Sequence, residues 1–170
     1  IAKPEDRKRP LCCGRTFLST GLVDKAKEEA TRLINALLPH AKAGRYIVGL
    51  EPSCLLTLRD EIPRLIPGKD AELVAKYALL FEEYIAKHLD KNLLKSLFKS
   101  PTDTILLHGH CHQKAAGVMS SVEQVLDLLP NTTVEVLETS CCGMAGSFGL
   151  KTETYSVSME MGELDLFPAV

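Results

Sequence analysis

The sequence predicts an α/β layered fold with a mainly parallel sheet, built from two pseudo-repeated βα units that each carry a Cys-Cys-Gly loop. Three observations predict it. Short apolar runs alternate with amphipathic helical segments along the chain, the pattern of a layered α/β protein. Cys12-Cys13-Gly14 is followed by Ser19-Thr20-Gly21-Leu22 and a helix, and Cys141-Cys142-Gly143 by Ser147-Phe148-Gly149-Leu150 and a helix. Two copies of one supersecondary unit are the simplest explanation. Finally, Cys54, Cys111 and Cys141-Cys142 each come just after a predicted strand. That assigns them to one edge of the sheet, the carboxyl edge where the sites of such sheets collect.

The elements follow in order. Residues 24–38 set Ala26, Ala30, Leu33, Ile34, Leu37 and Leu38 at helical spacing, and Pro39 and Gly44 are expected to stop that helix. Residues 46–50 form a short apolar run, read as a buried strand. Residues 51–54 turn the chain into a short helix at 55–61, and Pro63, Pro67 and Gly68 break the pattern again. A second long helix is expected over 71–89, with Leu73, Tyr77, Leu80, Phe81 and Tyr84 on one side, and an amphipathic stretch at 91–99 ends at Pro101. Its default role is core packing with a solvated Lys/Glu face. A strand at 104–107 leads directly into His108-Gly109-His110-Cys111-His112. A helix at 113–129, a strand at 134–137, a Gly-rich loop at 140–149 and a helix at 151–164 complete the chain.

The composition excludes several function classes. The 170 residues are 45% hydrophobic and 25% charged, which is globular and not disordered. Lys plus Arg is 20 and Asp plus Glu is 22, for a formal net charge of −2, so phosphate neutralisation gives no route to nucleic acid. There is no Trp, and aromatics are 5%, which leaves no stacking platform for single strands. No apolar run is long enough for a transmembrane helix. The first residue is Ile1, and no signal-peptide pattern follows, so the chain reads as a piece of something longer. No Ser-His-Asp order or carboxylate pair points to hydrolysis, and no catalytic residue is assigned.

The chemistry therefore rests on the cysteines. An even count of six invites a disulfide framework, but the chain is large enough to bury a core without staples. Four of the six also sit in adjacent pairs, which bond to each other only through a strained ring. A single zinc ion wants four ligands in short hooks such as C-x-x-C, and none is present. Cys111 with His110 or His112 keeps zinc open as an alternative. A polynuclear centre suits adjacent cysteines better, because each thiolate can bind a different iron. A glycine after each pair, Gly14 and Gly143, lets backbone N–H groups approach the sulfur atoms. The loop 143–149 has the bland reading of a helix entry, and it lacks the spacing of a phosphate-binding loop.

These residues carry a resemblance. Residues 9–21, 49–60, 108–113 and 139–149 resemble the cysteine-rich CCG domain. That domain occurs in heterodisulfide reductase, in the iron–sulfur subunits of glycolate oxidase and anaerobic glycerol-3-phosphate dehydrogenase, and in lactate-utilisation proteins. The likeness is nearest to the C-terminal part of fused FAD-linked oxidase/iron–sulfur proteins of D-lactate dehydrogenase type, and it covers nearly the whole chain. A family repeat runs as one opening Cys, then Cys-Cys-Gly, then C-x-x-C, and full repeats of this kind hold a noncubane [4Fe-4S] cluster. The resemblance thus implies Cys12, Cys13, Cys54, Cys111, Cys141 and Cys142 as metal ligands. Gly14, Gly143, His110 and His112 are expected beside the cofactor, the histidines as hydrogen-bond donors or proton relays.

Both repeats look truncated. The step from Cys111 to Cys141, taken back from Cys12, falls upstream of Ile1, and the step from Cys13 to Cys54, taken on from Cys142, falls beyond Val170. The expected division is a first repeat with a helical segment over 1–100 and a second repeat over 101–170. One departure is internal: the closing C-x-x-C reads Glu51-Pro52-Ser53-Cys54, so Glu51 stands in place of a cysteine. It is either an oxygen ligand or a cap on the following turn. His108 shares a face with His110 and His112 on extended backbone. Arg15 either offsets thiolate charge or forms a surface ion pair.

The reading that results is an iron–sulfur electron-transfer module of an FAD-linked 2-hydroxy-acid dehydrogenase, cytoplasmic or peripheral to the inner membrane. FAD and a ferredoxin-type domain lie on the parent protein or a partner subunit, and electrons pass to a quinone or another acceptor. The fragment alone is not expected to oxidise the hydroxy acid. The alternatives are a zinc-binding or metal-free interaction module, and thiol–disulfide chemistry of the heterodisulfide-reductase kind.

Overall fold

A computed structural model describes residues 9–99 and 103–170. The chain forms two compact units, Ile1–Leu89 and Asp90–Val170.

In the first unit a short helix, α1 (Arg15–Ser19), leads into α2 (Val23–Lys42). The helical spacing seen in the sequence buries Ala26, Ala30, Ile34, Leu37 and Ala41 along one stripe of α2. Pro39 does not stop this helix, contrary to the expectation. It lies in the final turns, where a proline gives up only one backbone hydrogen bond. The real terminator is Gly44, at φ +70°, with the N–H of Arg45 returning to the carbonyl of His40.

Next come β1 (Ile47–Gly49), α3 (Pro52–Arg59), α4 (Glu61–Leu65) and α5 (Lys69–Tyr77). Pro63 also sits inside a helix, within the first turn of α4, where no intrahelical N–H is required. The expected long helix over 71–89 is interrupted. Ala78–Leu80 forms β2, and α6 (Phe81–His88) begins only after it. All three residues of β2 are buried. They pair in parallel with β1 in the register Ile47↔Ala78, Val48↔Leu79, Gly49↔Leu80. A fully apolar run reads equally well as strand or helix, and here the free edge of β1 decides it.

Leu55, Leu56 and Leu58 of α3, Ile62 of α4, and Ala71 and Val74 of α5 complete the core of this unit. Glu83 is buried in α6, where its Oε2 accepts the Leu80 N–H at 2.9 Å and a guanidinium N–H of Arg59 at 2.6 Å. That carboxylate ties α3 to the exit of β2.

The second unit begins with α7 (Lys91–Leu97), and the stop assigned to Pro101 lies outside the described residues. Then follow β3 (Asp103–Leu107), α8 (Cys111–Ala115), α9 (Met119–Leu126) and β4 (Thr132–Val136). The expected helix over 113–129 is divided between α8 and α9 by Gly117, at φ +65°. β3 and β4 pair in parallel in the register Asp103↔Thr132 through Leu107↔Val136. A 3₁₀ turn at Phe148–Leu150, then α10 (Tyr155–Glu163) and a second 3₁₀ turn at Phe167–Ala169 end the chain. Buried apolar side chains here are Val118, Leu128 and Leu166.

The fold is therefore α/β with parallel pairing, as the alternation of elements predicts, and the strands make two small two-stranded sheets. This corrects the single-edge expectation. Cys54 follows β1 of one sheet, whereas Cys111 and Cys141-Cys142 follow β3 and β4 of the other. Among the described residues no helix is long and apolar enough to cross a membrane.

Candidate metal centre

Each Cys-Cys-Gly loop is built in the same way. Gly14 and Gly143 both adopt φ +82°, a left-handed backbone that L side chains avoid. In that conformation the glycine N–H turns back to the first cysteine of its pair. Gly14 donates to Cys12 Sγ at 3.4 Å and Gly143 to Cys141 Sγ at 3.3 Å. Each glycine also lies against the backbone of a helix further along the chain. A Cβ on Gly14 would come within 2.8 Å of the Ala26 carbonyl oxygen on α2, and one on Gly143 within 2.1 Å of the Ser158 carbonyl oxygen on α10. Ser158 adds a hydrogen bond from its hydroxyl to the Gly143 carbonyl at 2.9 Å. The repeat read from the sequence is thus also a repeat of backbone geometry.

In the first unit the loop meets α3. Cys54 sits in the first turn of that helix, after Glu51 as N-cap and Pro52. Cys13 is buried and Cys54 exposed, and the two thiols are close enough to shift each other's titration. Donation from Cys13 lowers the Cys54 thiol to about 7, against burial and the negative charges of Glu51 and Cys12. The same hydrogen bond, with burial, pushes the Cys13 thiol far up. Glu51 caps the helix: its Oε1 accepts the Ser53 N–H at 3.1 Å and the Ser53 hydroxyl. Arg15 pairs with Glu61 on α4. That ion pair walls a cavity of about 420 Å³ with Leu18, Ser19, Arg64 and Leu65, none of them a cysteine.

In the second unit Cys111 opens α8 directly after β3. Its thiol is raised by burial and by the charges of Cys141 and Cys142, and Lys114 acts in the opposite sense. His110 is the N-cap, accepting the His112 N–H on Nδ1 at 3.1 Å, which places the proton of the neutral ring on Nε2. The rings of His110 and His112 stack at 5.3 Å. His108 turns elsewhere: its Nδ1 meets Thr139 Oγ1 at 2.7 Å, and burial and Lys114 hold its pKa down. The shared face expected for the three histidines is therefore lost, because the chain leaves extended geometry at Cys111, where α8 begins.

The six sequence-assigned cysteines thus form two groups, Cys12, Cys13 and Cys54 in one unit, and Cys111, Cys141 and Cys142 in the other. All six are free thiols. Among the described residues no three Cys, His, Asp or Glu side chains converge on a point that would hold one metal ion. Adjacent thiolates with a backbone N–H donated to the first sulfur of each pair suit the chemistry of a multi-iron cluster held by thiolates. Sequence reasoning missed Lys114 and Asp165, which hold the backbone ahead of Cys141. Contacts from a side chain to distant backbone leave no sequence pattern.

Comparison with known proteins gives consistent matches. A family model described as a cysteine-rich domain, CCG, matches residues 1–59 and 105–167. One subunit of the anaerobic glycerol-3-phosphate dehydrogenase of Escherichia coli (strain K12) is 26% identical over 152 residues, covering 89% of this chain and 38% of the relative. Lactate utilization protein A of Oceanobacillus iheyensis is 26% identical over 156 residues, covering 87% of this chain and 61% of the relative. The protein of the same name in Bacillus cereus (strain G9842) is 26% identical over 163 residues, covering 91% and 65%. This chain therefore spans less than two thirds of the length of these relatives. No solved structure matches it significantly.

Proposed function

The chain belongs to the cysteine-rich CCG domain family, and from that premise we propose that it is an iron–sulfur electron-transfer module of a larger dehydrogenase. The observation that carries this reading is the repeated loop geometry, in which Gly14 and Gly143 each donate an N–H to the first cysteine sulfur of their pair. Donation of this kind stabilises thiolate and tunes a cluster's potential. A further cysteine lies near each pair, Cys54 in the first unit and Cys111 in the second.

Cys12, Cys13 and Cys54 would hold one centre, and Cys111, Cys141 and Cys142 the other. Each is a [4Fe-4S] cluster in this reading, with the noncubane form needing ligands beyond the three cysteines of each unit. Bound there, such a cluster supplies one-electron chemistry. His110 contributes its Nε2–H, and His112 stacks on it. The names of the relatives support a parent that oxidises glycerol 3-phosphate or a 2-hydroxy acid such as lactate. The flavin, a ferredoxin-type domain and the quinone or other acceptor belong to that parent or its partner subunits, and this chain relays electrons between them.

The test is iron, zinc and acid-labile sulfide content in protein purified without oxygen and extended at both ends. Iron and sulfide at about four per site support the reading. Stoichiometric zinc, or no metal, overturns it.

A second reading has an observation of its own. The free, neighbouring thiols of Cys13 and Cys54, with Cys54 lowered to about 7, suit thiol–disulfide exchange. Cluster spectra that change on adding a thiol or disulfide substrate would favour it.

A further inference from the structure

The backbone that enters the second Cys-Cys-Gly loop is held from several sides before the first cysteine is reached. The Lys114 ammonium donates to the carbonyl of Thr139 at 2.7 Å and to that of Ser140 at 3.3 Å. The Ser140 N–H donates to Asp165 Oδ2 at 2.5 Å, and Thr139 Oγ1 meets His108. Two successive carbonyls aimed at one cation make a charge-assisted clasp, and hydrogen bonds of this class are about twice as strong as neutral ones.

The clasp has a particular place in the chain. Lys114 belongs to α8, the helix that Cys111 opens, while Thr139 and Ser140 come immediately before Cys141. One side chain therefore joins the segment carrying the lone cysteine to the segment carrying the pair. Lys114 is half-buried, so its charge is only partly screened by water. That charge also stands close to the cysteines in the chain, one helical turn on from Cys111 in α8 and on the carbonyl of Ser140, the residue before Cys141.

We propose that Lys114 is a positioning and charge-setting residue of the second Cys-Cys-Gly site, fixing Cys141 and Cys142 relative to Cys111 and placing a cation beside the thiolates. The charge-setting half rests on the iron–sulfur reading given above, and the positioning half does not. Each electron added to a thiolate-held centre adds negative charge, so a fixed cation favours the reduced form.

The test compares the wild-type protein with Lys114→Met and Lys114→Arg, using two readouts. Amide hydrogen exchange at Ser140 to Gly143 in the metal-free protein reads the clasp. Lys114→Met is expected to speed exchange there about tenfold while leaving Cys12 to Gly14 unchanged, and Lys114→Arg to stay near wild type. The amides of β3 and β4, in the same unit, report whether the variant has folded. An EPR-monitored redox titration of the iron-loaded protein, extended as above, reads the charge. Lys114→Met is expected to shift the equilibrium about tenfold toward the oxidised form, ~59 mV lower for one electron, with Lys114→Arg restoring it. Unchanged exchange in Lys114→Met overturns the positioning role. Raised exchange with an unchanged potential overturns the charge-setting role. If wild type binds no iron, the iron–sulfur reading and the charge-setting role both fail, and the exchange experiment still decides the clasp.

Discussion

Gly14 and Gly143 share φ +82° and the same backbone N–H to sulfur hydrogen bond, but Gly143 is the more tightly enclosed of the two. An alanine at either position pays the cost of left-handed backbone, about 1–2 kcal/mol. It also meets backbone, at 2.8 Å from the Ala26 oxygen in one case and 2.1 Å from the Ser158 oxygen in the other. Gly143→Ala is therefore expected to destabilise its unit more than Gly14→Ala does. Urea unfolding followed by unit-resolved hydrogen exchange checks the order, and equal effects would count against the close approach of α10 to the loop.

The thiols of the first unit should differ sharply in reactivity when the protein is metal-free and reduced. Donation from Cys13 lowers the Cys54 thiol to about 7, so near neutral pH Cys54 is about half thiolate and it is exposed. Cys13 is buried and held protonated. Alkylation at pH 7, read by mass spectrometry of the peptides, should label Cys54 well before Cys13. Its rate should fall as pH drops below 7. Cys13→Ala removes the donor, and the Cys54 titration should then move up toward the ordinary thiol value. A Cys54 profile that ignores this substitution would dissolve the pair.

Much of this organisation was legible in the sequence, for reasons that also explain what was not. The Cys-Cys-Gly repeats, β1, β3 and β4 are local signals: a glycine forced left-handed, or an apolar run closed by turn residues. β2 was hidden because Ala78, Leu79 and Leu80 continue the helical spacing of their neighbours, and only pairing with β1 makes them a strand. Pro39 and Pro63 look like breakers, yet Pro63 sits in a first turn that needs no intrahelical N–H, and Pro39 costs α2 a single hydrogen bond near its end. The contacts of Lys114, Asp165 and His108 link positions far apart in the chain, so no periodicity announces them.

Glu83 should be among the costliest surface-to-core ion pairs to break in the first unit. Its side chain is 5% exposed and carries two partners, the Leu80 N–H and Arg59. Removing one member of a buried pair costs about 3–5 kcal/mol, and Glu83→Ala should fall at or just below the low end because Arg59 keeps contact with water. The loss also frees the N-terminus of α6 from its back-reaching carboxylate. Chemical denaturation compared with Glu83→Gln, which keeps an acceptor for the amide, separates the ion pair from the cap. A Glu83→Ala midpoint equal to wild type would remove this pair from the list of supports for α3.

Glu51 offers the most direct approach to the first site. It caps α3 through Ser53, and the resemblance read from the sequence implies a cysteine of a closing C-x-x-C at its position. Glu51→Cys exchanges a good cap for a poor one, so the metal-free protein should lose about 1 kcal/mol of stability. If the Cys12, Cys13 and Cys54 group is a cluster site short of one thiolate, the same substitution should raise the iron retained by the first unit. Glu51→Ala serves as the control, since it removes the cap and supplies no ligand. Its stability loss should match that of Glu51→Cys, and its iron content should stay at the wild-type level. Equal iron in all three proteins would mean that position 51 does not face the metal, and that Glu51 serves the helix alone.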